Sequence, residues 1–250
     1  MQLQNKVIVI TGASQGLGKA LAIKAAQQGA LVALVARSET LLKKVQEKII
    51  QANGKAEYFV CDIRDAAAVE KTVTEIIKTY KTIDVLVNNA GIWTDNEIEK
   101  NNPNRRQEAF ATNAMGNIQF TYEVLPILKE KNSGYIFNVI STSGSSDNPN
   151  SDNKDWITYG ATKWALRGFT KDLSTSLHNT GIKVTGFFPG GIDTNLYENA
   201  RRPNAHGQFW MMKAEDVADI ILFTLTRPDD VVIENLVVTK KYTSPPPGRG

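Results

Sequence analysis

The sequence predicts an α/β chain built on a doubly wound parallel sheet. Short, β-branched, nearly all-apolar runs such as Lys6–Ile10 (KVIVI) and Ala30–Ala36 (ALVALVA) have the length and character of strands buried on both faces. Between them lie stretches with helical apolar periodicity, joined by short connections, and that alternation is the mark of parallel crossover units. A glycine-rich turn follows the first strand and leads directly into the first helix. Its spacing is Gly12-x3-Gly16-x-Gly18.

Taken in order, Lys6–Ile10 runs into Thr11-Gly12-Ala13-Ser14-Gln15-Gly16-Leu17-Gly18, and apolar periodicity then continues through Leu21 and Ala25 to Gly29. In such a turn the backbone can approach a pyrophosphate closely, and the helix behind it offers unpaired N–H groups and a positive dipole end. Ala30–Ala36 is the second strand. In a dinucleotide fold its end meets the adenosine ribose, where an acidic side chain would bind a free 2′-OH and an arginine would accommodate a 2′-phosphate. Ala36 occupies the acidic position and Arg37 follows it, which favours NADP(H) over NAD(H). Ser38 can cap a helix to Asn53 through Leu41, Leu42, Val45 and Ile49. Glu57–Val60 is a third strand, Ala66–Tyr80 a third helix, and Ile83–Val87 a fourth strand that enters Asn88-Asn89-Ala90-Gly91.

Asn104 to about Lys131 reads as one long helix containing Asn113, and Tyr135–Ile140 as a fifth strand ending in Ser141-Thr142-Ser143-Gly144. The polar stretch Ser145–Asp155 is loop. A helix then carries Tyr159 and runs to His178. Ile182–Phe188, a sixth strand, ends in Pro189-Gly190-Gly191-Ile192-Asp193-Thr194; an irregular stretch to Gln208 follows, then a helix from Met212 or Lys213 through Leu225 and a last strand over Val231–Val238. The tail from Lys240 carries Pro245-Pro246-Pro247 and is expected to be extended. Neither repeat nor linker divides residues 1–250, so one domain is expected.

Composition narrows the function. With 42% hydrophobic and 22% charged residues the chain is of ordinary globular make-up, and a net charge of +3 without a basic block argues against nucleic acid as a partner. One cysteine, Cys61, excludes an intrachain disulfide, and two histidines without ligand spacing offer no metal site. No apolar run of about 18 residues is present, so no membrane span is expected. With the first residues running almost at once into a strand, a cytoplasmic address is the expectation.

Tyr159 and Lys163 lie four residues apart, on one face of a helix. A phenol with an unperturbed pKa of ~10 becomes a usable acid–base group near neutrality when a cation lies beside it. With the glycine turn, Asn88-Asn-Ala-Gly, Asn113, Ser141, Tyr159-x3-Lys163 and Pro189-Gly in this order, the sequence resembles the short-chain dehydrogenase/reductase family from Lys6 to about Val238. The resemblance implies a Rossmann-type doubly wound parallel sheet of seven strands with helices on both faces. It implies hydride exchange between a nicotinamide cofactor and a carbonyl or secondary alcohol.

By the same resemblance Tyr159 is the general acid–base, Lys163 lowers its pKa and holds the nicotinamide ribose, Ser141 polarises the substrate oxygen, and Asn113 anchors a proton-relaying water. Thr142 and Ser143 compete with Ser141 for its role. Gly12, Ser14, Gln15, Gly16, Leu17 and Gly18 are implied to hold the pyrophosphate and ribose, Asp62 and Ile63 to flank the adenine, Asn89 and Gly91 to line the cofactor, and Ile192 and Thr194 to fix the carboxamide.

A homodimer or homotetramer is implied through the helices bearing Asn113 and Tyr159, with Phe120, Leu125, Leu166 and Phe169 expected on their outer faces. Two features depart from the family pattern: the long segment between Ser141 and Tyr159, and the Pro-rich tail where a glycine-rich ending is usual. Aromatic and apolar residues in pocket loops, Trp93, Trp156, Tyr197, Phe209, Trp210 and Met211, suggest an apolar or aromatic acceptor. The leading reading is an NADP(H)-dependent carbonyl or ketoacyl-type reductase. The alternatives are an NAD(H)-dependent alcohol dehydrogenase with the same site and a catalytically silent nucleotide-binding regulator.

Overall fold

The structure is a computed structural model and describes residues 2–93, 102–145, 157–196 and 206–241. The loop residues 146–155, Trp156, Tyr197, the Arg201-Arg202 pair and the Pro-rich tail lie outside the described residues.

Strands β1 (Val7–Thr11), β2 (Leu31–Ala36), β3 (Lys55–Val60), β4 (Val85–Asn88), β5 (Gly134–Val139), β6 (Ile182–Pro189) and β9 (Asn235–Val238) form one sheet in the order β3-β2-β1-β4-β5-β6-β9. Every pairing in it is parallel. The strand order reverses beside β1, where the chain goes from β3 at one edge to β4 on the far side of β1. In open α/β sheets the carboxyl ends at such a reversal form the ligand crevice.

Pleating sorts the strand residues into two cores. Ile8 and Ile10 face helices α1 (Gly16–Gln27), α2 (Glu39–Gln51) and α7 (Ala214–Leu225), while Val9 faces α3 (Ala66–Tyr80), α5 (Asn117–Glu130) and α6 (Ile157–Ser176). Ala33 and Val35 join Val9, and Val32 and Leu34 join Ile8. Burial on both faces is why these strands read as continuous apolar runs rather than alternating ones.

Four expectations are corrected. The helix expected from Asn104 to Lys131 is three pieces: α4 (Pro103–Phe110), a π-helical turn over Ala111–Gly116, and α5. The last strand is only Asn235–Val238. Its partner in β6 is Gly186–Pro189, and Val231 instead closes a turn onto the Pro228 carbonyl. A short parallel bridge between β7 (Ile192–Asp193) and β8 (Met212–Lys213), not expected from the sequence, joins the two roots of the segment between them. Finally, Phe120 and Leu166 are fully buried, Leu125 nearly so, and Phe169 half-buried, because those faces of α5 and α6 pack inward. The outward apolar side chains on these helices, the π-turn and the end of α4 are Phe110, Met115, Tyr122, Ile157 and Trp164.

Candidate active site

The glycine-rich turn is shaped by backbone sterics. Gly12 has φ +68°, and a Cβ there would lie 2.9 Å from the Ala90 Cα, so no larger residue fits. Asn89 latches the turn from the β4 exit: its Nδ2 donates to the Thr11 carbonyl at 2.9 Å, and the Thr11 hydroxyl accepts from the N–H groups of Asn89 and Ala90 at 3.0 Å each. Gln15 stands at the N-cap of α1 and its side chain makes no capping hydrogen bond. The first amides of α1 therefore keep their donors for an anion, and the turn fits a pyrophosphate. Ser14 and Gln15 are half-buried on this turn, Leu17 and Gly18 are buried behind it, and Gly16 faces the Thr194 side chain.

At the end of β2, Ala36 is half-buried and Arg37 exposed. The Asp62 carboxylate nearby is taken by Arg64, with Nη2···Oδ2 at 2.6 Å, and lies below the usual carboxylate range chiefly because of that contact, with Arg37 adding a weaker pull. Ile63 is buried against Gly116 of the π-turn. Cys61 is buried, and burial pushes its thiol up, so it behaves as core packing.

The candidate catalytic group is set by α6 and the end of β5. Lys163 is buried and its Nζ donates to the Val139 carbonyl at 3.1 Å. The same Nζ stands 5.5 Å from the centroid of the Tyr159 ring. Burial alone lowers its pKa to about 8, leaving an ammonium that holds its proton at neutral pH but gives it up under mildly alkaline conditions. Tyr159 is itself buried, with the Trp93 ring packed on it at a centroid distance of 4.4 Å. Met211 completes this apolar cluster, with Leu196 and Trp210 against it. Of the aromatic and apolar residues expected around the pocket, Trp93, Trp210 and Met211 thus gather at Tyr159, whereas Phe209 is exposed.

Asn113 lies in the π-turn. Its Oδ1 accepts from the Ile92 N–H at 2.7 Å, and its Nδ2 donates to the Ile92 carbonyl at 2.9 Å and to the Thr162 hydroxyl at 3.1 Å. That side chain holds the β4 exit against α6, with both Nδ2 protons used. Gly91 lies beside Asn113 and Lys163: a Cβ on it would lie 3.4 Å from Asn113 Oδ1 and 3.6 Å from Lys163 Nζ, ordinary van der Waals distances. Asn113, Gly91 and Lys163 are therefore neighbours, and Tyr159 lies beside Lys163.

Ser141 follows β5, two residues beyond the Val139 carbonyl that Lys163 binds. Its Oγ accepts from the Ser143 N–H at 3.1 Å, which leaves its O–H to donate. Ser143 Oγ is buried and receives no hydrogen bond, and Thr142 is buried. Ile192 lies on β7, and Asp193 beside it binds His206, whose contact holds the Asp193 carboxyl below its usual range. Sequence reasoning passed over Thr162, Asn117 and the Asp193–His206 contact, because each acts through tertiary partners far along the chain. Among the described residues no group of His, Cys, Asp and Glu could hold a metal, and no helix is long and apolar enough to cross a membrane.

Comparison with known proteins agrees with this geometry. A family description named short chain dehydrogenase matches residues 6–205. An uncharacterized oxidoreductase of Staphylococcus epidermidis is 32% identical over 237 residues, covering 95% of this chain and 98% of the relative. An alcohol dehydrogenase from the archaeon Thermococcus sibiricus, solved with 5-hydroxy-NADP, superposes with a TM-score of 0.86 at 26% identity, covering 97% of this chain and 100% of that one. A closed form of serine dehydrogenase complexed with NADP+ gives a TM-score of 0.84 at 28% identity, covering 98% and 100%. With four-fifths of its length matched by the family description and its seven-stranded parallel sheet shared with these structures, the chain belongs to the short-chain dehydrogenase/reductase family of oxidoreductases.

Proposed function

We propose that the protein is an NADP(H)-dependent reductase of carbonyl compounds, working in reverse as a secondary-alcohol dehydrogenase. The observation that carries this reading is the buried Lys163 ammonium beside the Tyr159 ring and next to Gly91 at the β4 exit. A bound nicotinamide supplies the hydride to the carbonyl carbon. Tyr159 gives its proton to the substrate oxygen as negative charge develops there. Lys163 stabilises the resulting phenolate, and its N–H groups beyond the one on Val139 are available to ribose hydroxyls or water. Ser141 donates its O–H to the same substrate oxygen, its acceptor side being already occupied by Ser143 N–H. With both Asn113 Nδ2 protons taken by Ile92 and Thr162, any water it anchors would donate to an acceptor position left on its Oδ1 or its main-chain carbonyl. The wall formed by Trp93, Trp210 and Met211 favours an apolar or aromatic acceptor. A screen of carbonyl compounds against purified protein, followed in parallel with NADPH and NADH, tests the activity. Absence of turnover with every compound would leave the silent nucleotide-binding alternative standing.

NADP(H) preference rests on Arg37. With the Asp62 carboxylate already held by Arg64, the positive Arg37 is the charge that a 2′-phosphate would meet at the end of β2. Charge-assisted hydrogen bonds of this kind contribute ~1.5–3 kcal/mol, or roughly 10- to 150-fold in affinity. Arg37→Ala should weaken NADP(H) by that factor and leave NAD(H) nearly unchanged, and Ala36→Asp should go further by repelling the phosphate. Fluorescence titration at one fixed ionic strength reads both, because the contact is salt-sensitive. Equal loss for both cofactors would mean that Arg37 is a solvated strand-end residue.

A homo-oligomer is the expected assembly, through the outward Met115, Tyr122 and Trp164 rather than the buried Phe120, Leu125 and Leu166. At 61%, 59% and 48% exposure these three leave a large apolar surface in water on neighbouring helices. Light scattering of the wild type at micromolar concentration should give at least a dimer, and Tyr122→Glu with Trp164→Glu should dissociate it. A monomeric wild type would end this reading.

A further inference from the structure

A side chain from the first turn of α5 binds the π-turn that carries Asn113. Asn117 is fully buried, and its Nδ2 donates to the carbonyls of Ala90 at 3.0 Å, Thr112 at 3.1 Å and Asn113 at 3.1 Å. A π-turn widens the helix by one residue and displaces the N–H groups that its carbonyls would meet in an α-helix. Two amide protons serving three carbonyls, one of them shared, take up the displaced pairing here. The Asn117 Oδ1 is buried and accepts no hydrogen bond from the protein. An apolar side chain of the same shape would bury no such oxygen but would take this donor from the carbonyls of Ala90, Thr112 and Asn113, so the weight of the amide lies in what its nitrogen holds.

What it holds is the β4 exit. Asn117 grips the Ala90 carbonyl and Asn113 grips both backbone groups of Ile92, so the two asparagines clamp the segment on either side of Gly91. Because Asn117 also binds the main-chain carbonyl of Asn113, the second grip is seated on the first. From this geometry we propose that Asn117 is a positioning residue: it fixes the π-turn and the Ala90–Ile92 segment together, and so sets where Gly91 presents the cofactor edge to Asn113 and Lys163. Its bearing on turnover rests on the reductase reading above; its bearing on the segment and on cofactor binding does not.

The comparison residue is Thr121, one turn along α5. It is equally buried, donating to the Asn117 carbonyl at 2.8 Å and accepting from Asn88 Nδ2 at 2.8 Å, but it touches neither the π-turn carbonyls nor Ala90. Asn117→Leu and Thr121→Val each remove buried hydrogen bonds from the same region, and only the first removes the clamp. Three measurements separate them: amide hydrogen exchange at Ile92, NADPH titration by fluorescence, and steady-state kinetics with a carbonyl compound that the wild type reduces. Asn117→Leu should speed Ile92 exchange about tenfold, weaken NADPH about fivefold and lower kcat about tenfold, with KM for the carbonyl within about twofold of wild type. Thr121→Val should lower the unfolding midpoint and leave all three at wild-type values.

The proposal is overturned if Asn117→Leu keeps wild-type exchange at Ile92 and wild-type NADPH affinity, or if Thr121→Val changes them as much. Should the leucine variant not fold, Asn117→Ser, which keeps one donor in less volume, is judged on the same measurements. A wild type that reduces no carbonyl defeats the reductase reading, while exchange and NADPH affinity still decide the role of Asn117.

Discussion

Tyr159→Phe is expected to lower kcat by about 10²- to 10⁴-fold, the usual contribution of a positioned general acid. The substitution removes one oxygen and leaves the rest of the site in place. Trp93 still has a ring to pack on, and Lys163 still donates to Val139. NADPH affinity and the unfolding midpoint should therefore stay close to wild type, which separates loss of chemistry from loss of fold. Turnover above about a tenth of wild type would remove Tyr159 from the acid–base role.

Lys163→Met should abolish turnover and at the same time stabilise the fold. Burial holds the Lys163 ammonium at about 8, against an ordinary value of 10.5. Between those values the unfolded chain binds more protons than the folded one, so wild-type stability should rise with pH from about 8 to about 10.5. Below pH 8 the full penalty of burying the charge is present, about 2–4 kcal/mol. Methionine fills similar volume without charge, but leaves the Val139 carbonyl unpaired at a cost of about 1 kcal/mol or more. The net gain at pH 7 is about 1–3 kcal/mol, or roughly 3–8 °C in the unfolding midpoint for a chain of this size. Thermal unfolding of both proteins at pH 7 and pH 9.5 checks the sign: the advantage of the variant should shrink at the higher pH. A variant less stable at pH 7, or an advantage that grows with pH, would show that the ammonium is better solvated than its burial indicates.

Much of this architecture was legible in the sequence, and what was not has physical reasons. Parallel strands buried on both faces announce themselves as near-continuous apolar runs such as VIVIT and LVALVA, since both faces are packed against helices. The glycine turn is equally direct, because Gly12 occupies a backbone conformation and a close contact that exclude other residues. The π-turn left no such trace. Ala111–Gly116 carries residues any helix would accept, and what widens it is Asn117 meeting carbonyls that include one from Ala90. Helical periodicity identified apolar stripes on α5 and α6 but not which stripe the sheet would claim: Phe120 and Leu166 went inward, and Tyr122 and Trp164 outward. Val231 and Val232 have strand character and still fall outside the sheet, because the pairing with β6 begins only at Asn235. In the site, residue types pointed to chemistry, but the engagement of the Asn113 and Asn89 amides with backbone was visible only in three dimensions.

The strand order also governs how the chain can fold as it leaves the ribosome. β1 is made first yet lies in the interior of the sheet, and its two neighbours arrive at very different times. Leu31 pairs with Val7 early, whereas Val85 must be synthesised before Ile8 gains its other partner. At about 5–20 residues per second, that leaves one edge of an all-apolar strand without its neighbour for several seconds. The far side of the sheet repeats the delay, since Gly186 waits for Asn235. Long-range parallel pairing of this kind places folding on the slow, millisecond-to-second side of the range for single domains, with unpaired strand edges as the species most prone to association. An N-terminal fragment ending before Val85 would expose that edge permanently, so nascent chains stalled there are the natural clients of a chaperone.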